Sequence, residues 1–159
     1  MSIRIGEGID RHPLVVGRPL ILGGVPIEHE KGLLGHSDGD ALTHAVCDAI
    51  LGALALGDLG SHFADTDPSQ KDRASLEFLR EVLALARAGG WRLGNLDATV
   101  MAEAPRLAPH LPKMRAELAR ALEVEFERVS VKATRGEGLG PEGRGEAITA
   151  RAVVLMQEL

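Results

Sequence analysis

The chain has 159 residues, of which 45% are hydrophobic and 26% charged, and its formal net charge at pH 7 is −5. This composition excludes a disordered chain, and the length predicts one globular domain over residues 1–159. The acidic balance excludes non-specific nucleic-acid binding, since no Lys/Arg-dense segment offsets it, and no apolar stretch is long enough to span a membrane.

The spacing of apolar residues predicts strands and helices that follow one another along the chain. The first half is predicted to hold a strand over Ile3–Ile9, two short strands around the Gly23-Gly24 turn within Leu20–Ile27, and a helix that starts at Ser37-Asp38 and is broken by Gly57 and Gly60. A polar loop is then predicted from Ser61 to Asp72. It is followed by a helix that ends at Gly89-Gly90 and has Leu76, Leu79, Val82, Leu83 and Ala86 on one face. The rest of the chain is predicted to hold a strand over Leu96–Met101, a helix over Leu111–Leu122, a strand over Val129–Ala133, a Gly-rich loop from Gly136 to Gly145, and a strand over Ala147–Met156.

Strands separated by helices without a linker predict an α/β arrangement, a sheet covered by helices on one face. The strands carry apolar residues at both odd and even positions, and therefore on both faces of the sheet, for example Val153 and Val154 in the last strand. The uncovered face is therefore expected to pack against copies of the same chain. The aromatic content of 3% leaves little material for a thick monomeric core and points the same way.

Cys47 is the only cysteine, so an internal disulfide is excluded and a reducing compartment is expected. Its neighbours are Ala, Val and Ile, and we predict a buried, unreactive thiol. The N-terminal sequence MSIRIGEGID has no apolar signal segment. We therefore expect a cytoplasmic protein without membrane association.

Two histidines and a carboxylate form the first candidate site. Asp10 and His12 are two residues apart on a strand, so their side chains leave the same face. His44 lies one helical turn after Asp40, on a helix that can pack over that strand. The set of Asp10, His12 and His44 matches a catalytic zinc site with one open position, and equally the two-His-one-carboxylate triad of non-haem iron. A substrate phosphate oxygen would fill the open position, although His44 among apolar neighbours is also compatible with a core histidine.

Two loops supply further candidate residues. Asp58-Leu-Gly60 and Asp65-Thr-Asp-Pro68 offer carboxylates for sugar hydroxyls or a second cation, or are solvated turn residues. In the Gly-rich loop, successive backbone amides form anion-binding nests, and the Thr134 hydroxyl adds a donor. Glu137 is suited to hold Mg²⁺ against phosphates. The loop has no Walker sequence and is therefore not a P-loop.

Taken in order, these segments resemble the 2-C-methyl-D-erythritol 2,4-cyclodiphosphate synthase family of the non-mevalonate isoprenoid pathway. The matching motifs are Gly8-Ile-Asp10-Arg-His12, Lys31-Gly-Leu-Leu-Gly-His36-Ser-Asp-Gly-Asp40, Gly57-Asp-Leu-Gly60 with Phe63-Ala-Asp-Thr-Asp-Pro68, Ala104-Pro-Arg106, and Lys132-Ala-Thr134 through Gly143-Arg-Gly-Glu146. The resemblance spans nearly the whole chain. It implies a ferredoxin-like α+β subunit, a homotrimer with active sites at subunit interfaces, and a CDP-linked methylerythritol phosphate as substrate. The 2-phosphate of that substrate would attack the β-phosphate and release CMP.

The resemblance also implies roles for individual residues. By this resemblance, Asp10, His12 and His44 bind one zinc ion per subunit. Glu137 binds Mg²⁺ or Mn²⁺ together with the substrate diphosphate. The catalytic position that the resemblance implies is His36, which stabilises the transition state; Arg135 is a further catalytic candidate that the family pattern does not contain. The substrate-binding positions are Asp10, His12, His36 and Ser37; Asp58, Gly60, Phe63 and Asp65 for the methylerythritol moiety; Ala102, Ala104, Pro105, Arg106, Leu107 and Ala108 for cytidine; and Thr134, Glu137, Pro141 and Arg144 for the phosphates and the last loop.

Two positions depart from the family pattern. Arg135 stands where the family usually has a second Thr, so it either reaches the substrate diphosphate or points to solvent while its backbone amide binds. Pro141 stands where the family usually has a Phe, near the start of the last loop. In the family that Phe lines the central cavity of the trimer, which is expected to hold an isoprenoid diphosphate. These departures keep two alternatives open: a metal-dependent phosphohydrolase that admits water in place of the 2-phosphate, and a non-catalytic trimeric binder of isoprenoid diphosphates.

Overall fold

A five-stranded mixed sheet forms the centre of the computed structural model, which describes residues 1–159. The strands are β1 (Ile3–Val16), β2 (Leu20–Leu22), β3 (Val25–Ile27), β4 (Lys31–Leu33), β5 (Trp91–Met101), β6 (Val129–Thr134) and β7 (Ala147–Glu158). The helices are α1 (Ala41–Ala53), α2 (Leu59–His62), α3 (Ser75–Ala88), α4 (Leu111–Leu122) and α5 (Gly140–Gly143), with 3-10 turns at Pro68–Gln70, Ala108–His110 and Phe126–Arg128.

The sheet has the strand order β4-β1-β7-β5-β6, and β2 and β3 form a separate hairpin. All pairs in the large sheet are antiparallel except β5 and β6, which α4 connects as a crossover. A parallel pair needs such a crossover because its strands start at the same end of the sheet. The arrangement confirms the predicted ferredoxin-like α+β fold, with a mixed sheet and helices on one face.

The predicted strands are present, and four of them extend beyond their predicted bounds: β6 and β7 slightly, β1 and β5 by several residues. β1 continues beyond Ile9 to Val16, because its pairing with β7 runs on to Pro13 and its end pairs with β4. β5 begins at Trp91 and not at Leu96, and its first residues also pair with β7. The strand β4 was not predicted, since three residues are too few for a periodic signal.

The predicted start of the first helix at Ser37-Asp38 was wrong. α1 begins at Ala41, and the Asp40 side chain accepts a hydrogen bond from the Thr43 N–H at 3.0 Å, which makes Asp40 the N-cap. The helix also ends before Gly57, at Ala53. Two predicted loops contain short helices: α2 extends into the polar loop, and α5 lies within the Gly-rich loop.

Two glycines bring α1 directly onto the inner face of β1. A Cβ on Gly6 would lie 1.9 Å from the backbone oxygen of Ala49, and one on Gly8 would lie 1.9 Å from that of Ala45. No other residue fits at these positions while helix and strand stay this close. The close packing carries His44, on the first turns of α1, to the part of β1 that follows Gly8.

The opposite face of the sheet carries exposed apolar side chains. On β1, Ile3 is 59% exposed, Ile5 68% and Ile9 55%, and Val153 on β7 is also exposed. These positions alternate with the residues that face α1, which is the period of a strand. The expected packing of this face against further copies of the chain stays a prediction.

The core lies between the sheet and its helices, and most residues of α1 are buried in it. Cys47 on α1 has no exposed surface, and burial raises the pKa of its thiol well above the usual value, which confirms the predicted inert cysteine. None of the helices combines the length and the apolar character that crossing a membrane requires.

Candidate active site

Three potential ligand atoms meet where α1 crosses β1. Oδ2 of Asp10 lies 2.8 Å from Nε2 of His12 and 3.0 Å from Nδ1 of His44. The two imidazole nitrogens are 3.3 Å apart, and all three atoms lie within 4.8 Å of one another. The structure therefore brings together the three residues predicted to bind zinc.

The geometry of this metal cluster, as we call Asp10, His12 and His44, fits a metal ion. Nδ1 of His12 donates to the backbone oxygen of Leu34 at 2.8 Å, so its Nε2 is the nitrogen that faces the cluster. Nε2 of His44 is likewise held by neighbouring hydroxyls, so its Nδ1 faces the cluster. Such outer partners orient ligating imidazoles in metalloproteins. Two imidazoles and one carboxylate supply three of the four positions of a catalytic zinc site.

The protonation of the metal cluster is set by the proximity of its members. Burial disfavours the charged form of Asp10, but its close contacts with His12 and His44 outweigh this effect and hold the pKa of that carboxyl well below its usual range. Burial also opposes charge on His12, yet the Asp10 carboxylate overrides it and raises the pKa of His12. The cluster thus stabilises positive charge, and metal binding would displace the proton from His12.

A cavity of about 440 Å³ opens beside the metal cluster. Five further predicted site residues line it: His36, Ser37, Gly60, Phe63 and Asp65. They come from the segment before α1 and from the loop around α2. The structure thus assembles residues that are far apart in sequence around one polar cavity, which we call the metal cavity.

Individual side chains at the metal cavity are held by local bonds. Nε2 of His36 donates to the backbone oxygen of Asp67 at 3.0 Å, which fixes the ring at the cavity wall. Phe63 stacks on Phe78, with ring centroids 4.6 Å apart. Asp58 does not line the cavity itself; its carboxylate caps α2 by accepting from the Ser61 N–H at 2.9 Å. This bond lowers the pKa of Asp58.

Five residues that line the metal cavity were not among the predicted site residues: Gly35, Asp48, Leu59, Gln70 and Phe78. Asp48 accepts a hydrogen bond from the Leu59 N–H at 2.6 Å, and burial raises the pKa of its carboxyl. A signal for Asp48 was present, because it lies four residues after His44 on an otherwise apolar helix. Gln70 and Phe78 give no such signal, since their position depends on the path of the loop between α2 and α3.

A second cavity, of about 510 Å³, lies at the ends of β5 and β6. Its predicted lining residues are Ala102, Pro105, Arg106, Leu107 and Ala108, together with Thr134 and Arg135. The predicted cytidine segment and the start of the Gly-rich loop thus meet in one place. Ala104 belongs to the same segment but does not line this second cavity. Within one chain, the metal cavity and the second cavity share no lining residue.

Three predicted residues of the Gly-rich loop line neither cavity. Glu137 is exposed and has no hydrogen-bond or ion-pair partner. Pro141 is the second residue of the short helix α5, and Arg144 pairs with Glu146 at 2.9 Å. The roles of Glu137, Pro141 and Arg144 in substrate and metal binding therefore stay predictions.

An α+β fold that carries two histidines and a carboxylate at the wall of a polar cavity is the arrangement of a metal-dependent enzyme. Comparison with known proteins agrees with this class. The sequence model of the YgbB family matches residues 3–157, and the chain belongs to the YgbB family.

The most similar relatives by sequence carry one name in common. The chain is 60% identical over 155 residues to the 2-C-methyl-D-erythritol 2,4-cyclodiphosphate synthase of Geobacter metallireducens, covering 98% of this chain and 99% of that protein. It superposes on the CDP-bound structure of such a synthase with a TM-score of 0.90 and 40% identity, covering 97% and 100% of the two chains. It also superposes on the bifunctional IspDF of Campylobacter jejuni with a TM-score of 0.96 and 40% identity, covering 99% of this chain and 43% of the larger one.

Proposed function

We propose that the chain converts 4-diphosphocytidyl-2-C-methyl-D-erythritol 2-phosphate to 2-C-methyl-D-erythritol 2,4-cyclodiphosphate and CMP. An oxygen of the 2-phosphate attacks the β-phosphorus, the bond from that phosphorus to the bridging oxygen breaks, and CMP leaves with this oxygen. The enzyme is then a phosphorus-oxygen lyase. One observation carries the proposal: Asp10, His12 and His44 converge at a cavity that His36 and Ser37 also line. The name shared by relatives at 60% identity supports it.

The main barrier to this reaction is electrostatic, because two negatively charged phosphates must approach each other. Zn²⁺ on Asp10, His12 and His44 and Mg²⁺ or Mn²⁺ near Glu137 would supply charge neutralisation and polarise phosphate oxygens. The chain contributes orientation: the nucleophile and the leaving group belong to one molecule, and the cavities hold its two ends. No side-chain nucleophile is required, which is compatible with the buried Cys47 thiol.

Residues at the metal cavity are suited to the phosphate and polyol part of this substrate. The Ser37 hydroxyl would donate a hydrogen bond to a phosphate oxygen. The His36 ring, whose Nε2 donates to Asp67, would donate to a phosphate oxygen through Nδ1 as an imidazolium. The Asp65 carboxylate would accept from the hydroxyls of the methylerythritol moiety, and the Phe63 ring would exclude water beside them. Asp58 would act in the same region through its second carboxylate oxygen, since the first accepts the Ser61 N–H.

The second cavity is suited to the cytidine end. The residues from Ala102 to Ala108, except Ala104, line it, and their backbone groups would read the base, as the resemblance implies. Thr134 and Arg135 stand at its edge and would contact the diphosphate. The CDP found in the similar synthase structure supports a nucleotide site on this fold.

We also propose a homotrimer in which the metal cavity of one subunit meets the second cavity of its neighbour. Two features support this: the two cavities are separate within one chain, and the outer sheet face exposes Ile3, Ile5 and Ile9. Such a face of exposed apolar residues is a usual mark of an interface. An isoprenoid diphosphate in a central cavity of the trimer remains part of this proposal, with Pro141 near its lining.

One assay tests the proposed reaction. Purified protein is incubated with the CDP-linked substrate and Mg²⁺, and the products are followed by phosphorus NMR. The proposal expects a cyclic diphosphate and CMP. Free inorganic phosphate would instead identify a phosphohydrolase, and binding without any CMP release would identify a non-catalytic binder.

A further inference from the structure

Behind the metal cluster, a chain of buried polar groups leads away from His44. Nε2 of His44 lies 2.7 Å from the Ser75 hydroxyl oxygen, and that hydroxyl makes a short hydrogen bond to Oδ1 of Asp38. Ser75 has no exposed surface, and His44 is 8% exposed. The backbone N–H of Ser75 also donates to Oδ2 of Asp38, at 2.9 Å. Neither Asp38 nor Ser75 lines the metal cavity, so neither would touch the substrate.

The donors and acceptors in this chain allow one arrangement of protons. The Asp38 carboxylate can only accept hydrogen bonds, so the single hydroxyl proton of Ser75 is directed to it. The Ser75 oxygen must then accept from His44, which places a proton on Nε2 of the imidazole. In the neutral ring the lone pair consequently lies on Nδ1, the nitrogen that faces Asp10 and His12.

The same arrangement determines what Ser37 can do. Its hydroxyl oxygen lies 3.1 Å from Nε2 of His44 and 3.4 Å from the backbone nitrogen of Gly39. Both nitrogens carry protons, so the Ser37 hydroxyl finds no acceptor among them. Ser37 is 6% exposed and lines the metal cavity, where its proton is free for an acceptor that enters.

We propose that Asp38 and Ser75 are positioning residues that fix the Nε2-protonated tautomer of His44, present its Nδ1 lone pair to the metal ion, and leave the Ser37 hydroxyl as a donor to a substrate phosphate. The proposal rests on the metal centre of the proposed function. It extends that centre by two residues that act only through His44.

The test measures zinc affinity of the full-length protein by competition with a chromophoric chelator. Ser75→Ala removes the acceptor for His44 and keeps the backbone bond to Asp38. Loss of such an outer partner weakens metal binding by about 10- to 100-fold. Ser75→Thr keeps the hydroxyl and is expected to restore most of the affinity. Thr43→Val is the matched control, because Thr43 is also buried and also donates to a carboxylate, that of Asp40 at 2.7 Å, without touching an imidazole.

A merely structural role for Ser75 would lower the thermal stability of Ser75→Ala and Thr43→Val alike and leave both zinc affinities unchanged. Zinc affinity of Ser75→Ala within twofold of wild type would overturn the proposal. If Ser75→Ala does not fold, Asp38→Asn gives the second test. The Asn amide group places an N–H where the Asp38 carboxylate accepts hydrogen bonds from Ser75, so zinc affinity should fall at least tenfold. Failure of the wild-type protein to bind zinc at all would instead refute the metal centre itself.

Discussion

Arg135 and Glu103 form an ion pair at the second cavity, with Nη2 of the guanidinium 2.9 Å from Oε1 of the carboxylate. The other carboxylate oxygen accepts the backbone N–H of Gly136, also at 2.9 Å. Glu103 thus ties the segment from Ala102 to Ala108 to the start of the Gly-rich loop. Arg135 is 67% exposed, and one donor of its fork is engaged. Its remaining donors are available to phosphate oxygens.

The first prediction follows from this pair. If Arg135 acts on charge that develops in the reaction, Arg135→Ala lowers kcat and kcat/KM together. The expected loss is about tenfold to a thousandfold, and Arg135→Thr should recover part of it. Steady-state rates of CMP release measure this effect.

A matched control for Arg135 is Arg87→Ala. Arg87 also pairs with one exposed glutamate, Glu123, and it lines neither the metal cavity nor the second cavity. The control should leave both kinetic constants unchanged. Unchanged constants in Arg135→Ala as well would mean that its side chain is a bystander and that the backbone amide does the binding.

The second prediction concerns the metal. The protein should hold about one zinc per subunit, with Zn–N distances of about 2.0–2.1 Å. His44→Ala should abolish bound metal and most turnover but keep the fold, because a continuous hydrophobic core and not the ion holds the chain together. Elemental analysis and circular dichroism measure the two effects. Iron in the purified protein, or full metal content in His44→Ala, would contradict the zinc assignment.

The third prediction tests the contact that places His44 over β1. Gly8→Ala puts a methyl group 1.9 Å from the backbone oxygen of Ala45, so α1 must shift. Overpacking of this kind costs about 1–3 kcal/mol or more in the free energy of unfolding, and the shift should also weaken zinc binding. Urea unfolding and a zinc competition assay measure both.

The control for Gly8 is Gly52→Ala on the exposed side of α1. A Cβ there meets only the backbone oxygen of Glu7, at 3.8 Å. Alanine favours a helix interior over glycine by about 1 kcal/mol, so this variant should be as stable as wild type or more so. A Gly8→Ala protein with unchanged stability and zinc affinity would show that α1 does not need the glycine.

The sequence did not predict which face of β1 packs against α1. The alternation of Ile3, Ile5 and Ile9 correctly indicates a strand, but these isoleucines lie on the outer face and the small residues between them face the helix. That assignment depends on the separation of α1 and β1, which no periodicity encodes. The spacing of Asp10 and His12, by contrast, places both side chains on one face whatever packs there, and His44 needed only a helix over that face.

The second cavity was less accessible to sequence reasoning. Its residues were grouped by resemblance, and the pairing of β5 with β6 explains why they meet: Met101 lies opposite Thr134, so both strands end together. Glu103 was not predicted, because nothing in the sequence links it to Arg135. The contact is made between two loops, and loops carry no period from which a partner could be inferred.

The fourth prediction is a pH effect on stability. Glu142 is buried on α5, where the Thr149 hydroxyl donates to it and Arg11 pairs with it at 2.9 Å. The Thr149 hydrogen bond lowers the pKa of Glu142 from its usual 4.5; burial opposes this effect in part, and the weaker effect of the Arg11 charge adds to the lowering. Because the folded pKa is the lower one, this stabilisation is present above pH 4.5 and is lost as the pH falls through the folded pKa.

Glu142→Gln should therefore lower the free energy of unfolding at pH 7 by about 1.5–3 kcal/mol, the range for a hydrogen bond to a charged group. Urea unfolding at several pH values should show the difference from wild type shrinking as the pH falls below 4.5. Exposed Glu127, which makes no ion pair, gives the control substitution Glu127→Gln. A pH-independent difference would mean that shape, and not charge, is what Glu142 contributes.

The last prediction is that the protein is a trimer in solution and that each active site needs two subunits. His44→Ala destroys the metal cavity and leaves the second cavity intact. Ala108→Trp fills the second cavity and leaves the metal cavity intact; Ala108 is chosen because it is exposed, whereas Ala102 is only 5% exposed and belongs to the core. Each variant alone should be inactive.

If the two cavities face each other across subunits, a mixed trimer contains some sites built from the intact half of each variant. Mixing the two inactive proteins under conditions that exchange subunits should then restore part of the CMP release. Light scattering gives the mass, and differently tagged variants show whether mixed trimers form. If each active site used the two cavities of a single subunit, every site in a mixed trimer would carry one defect. Mixed trimers without activity would therefore show that each active site lies within one chain, and would refute the shared site.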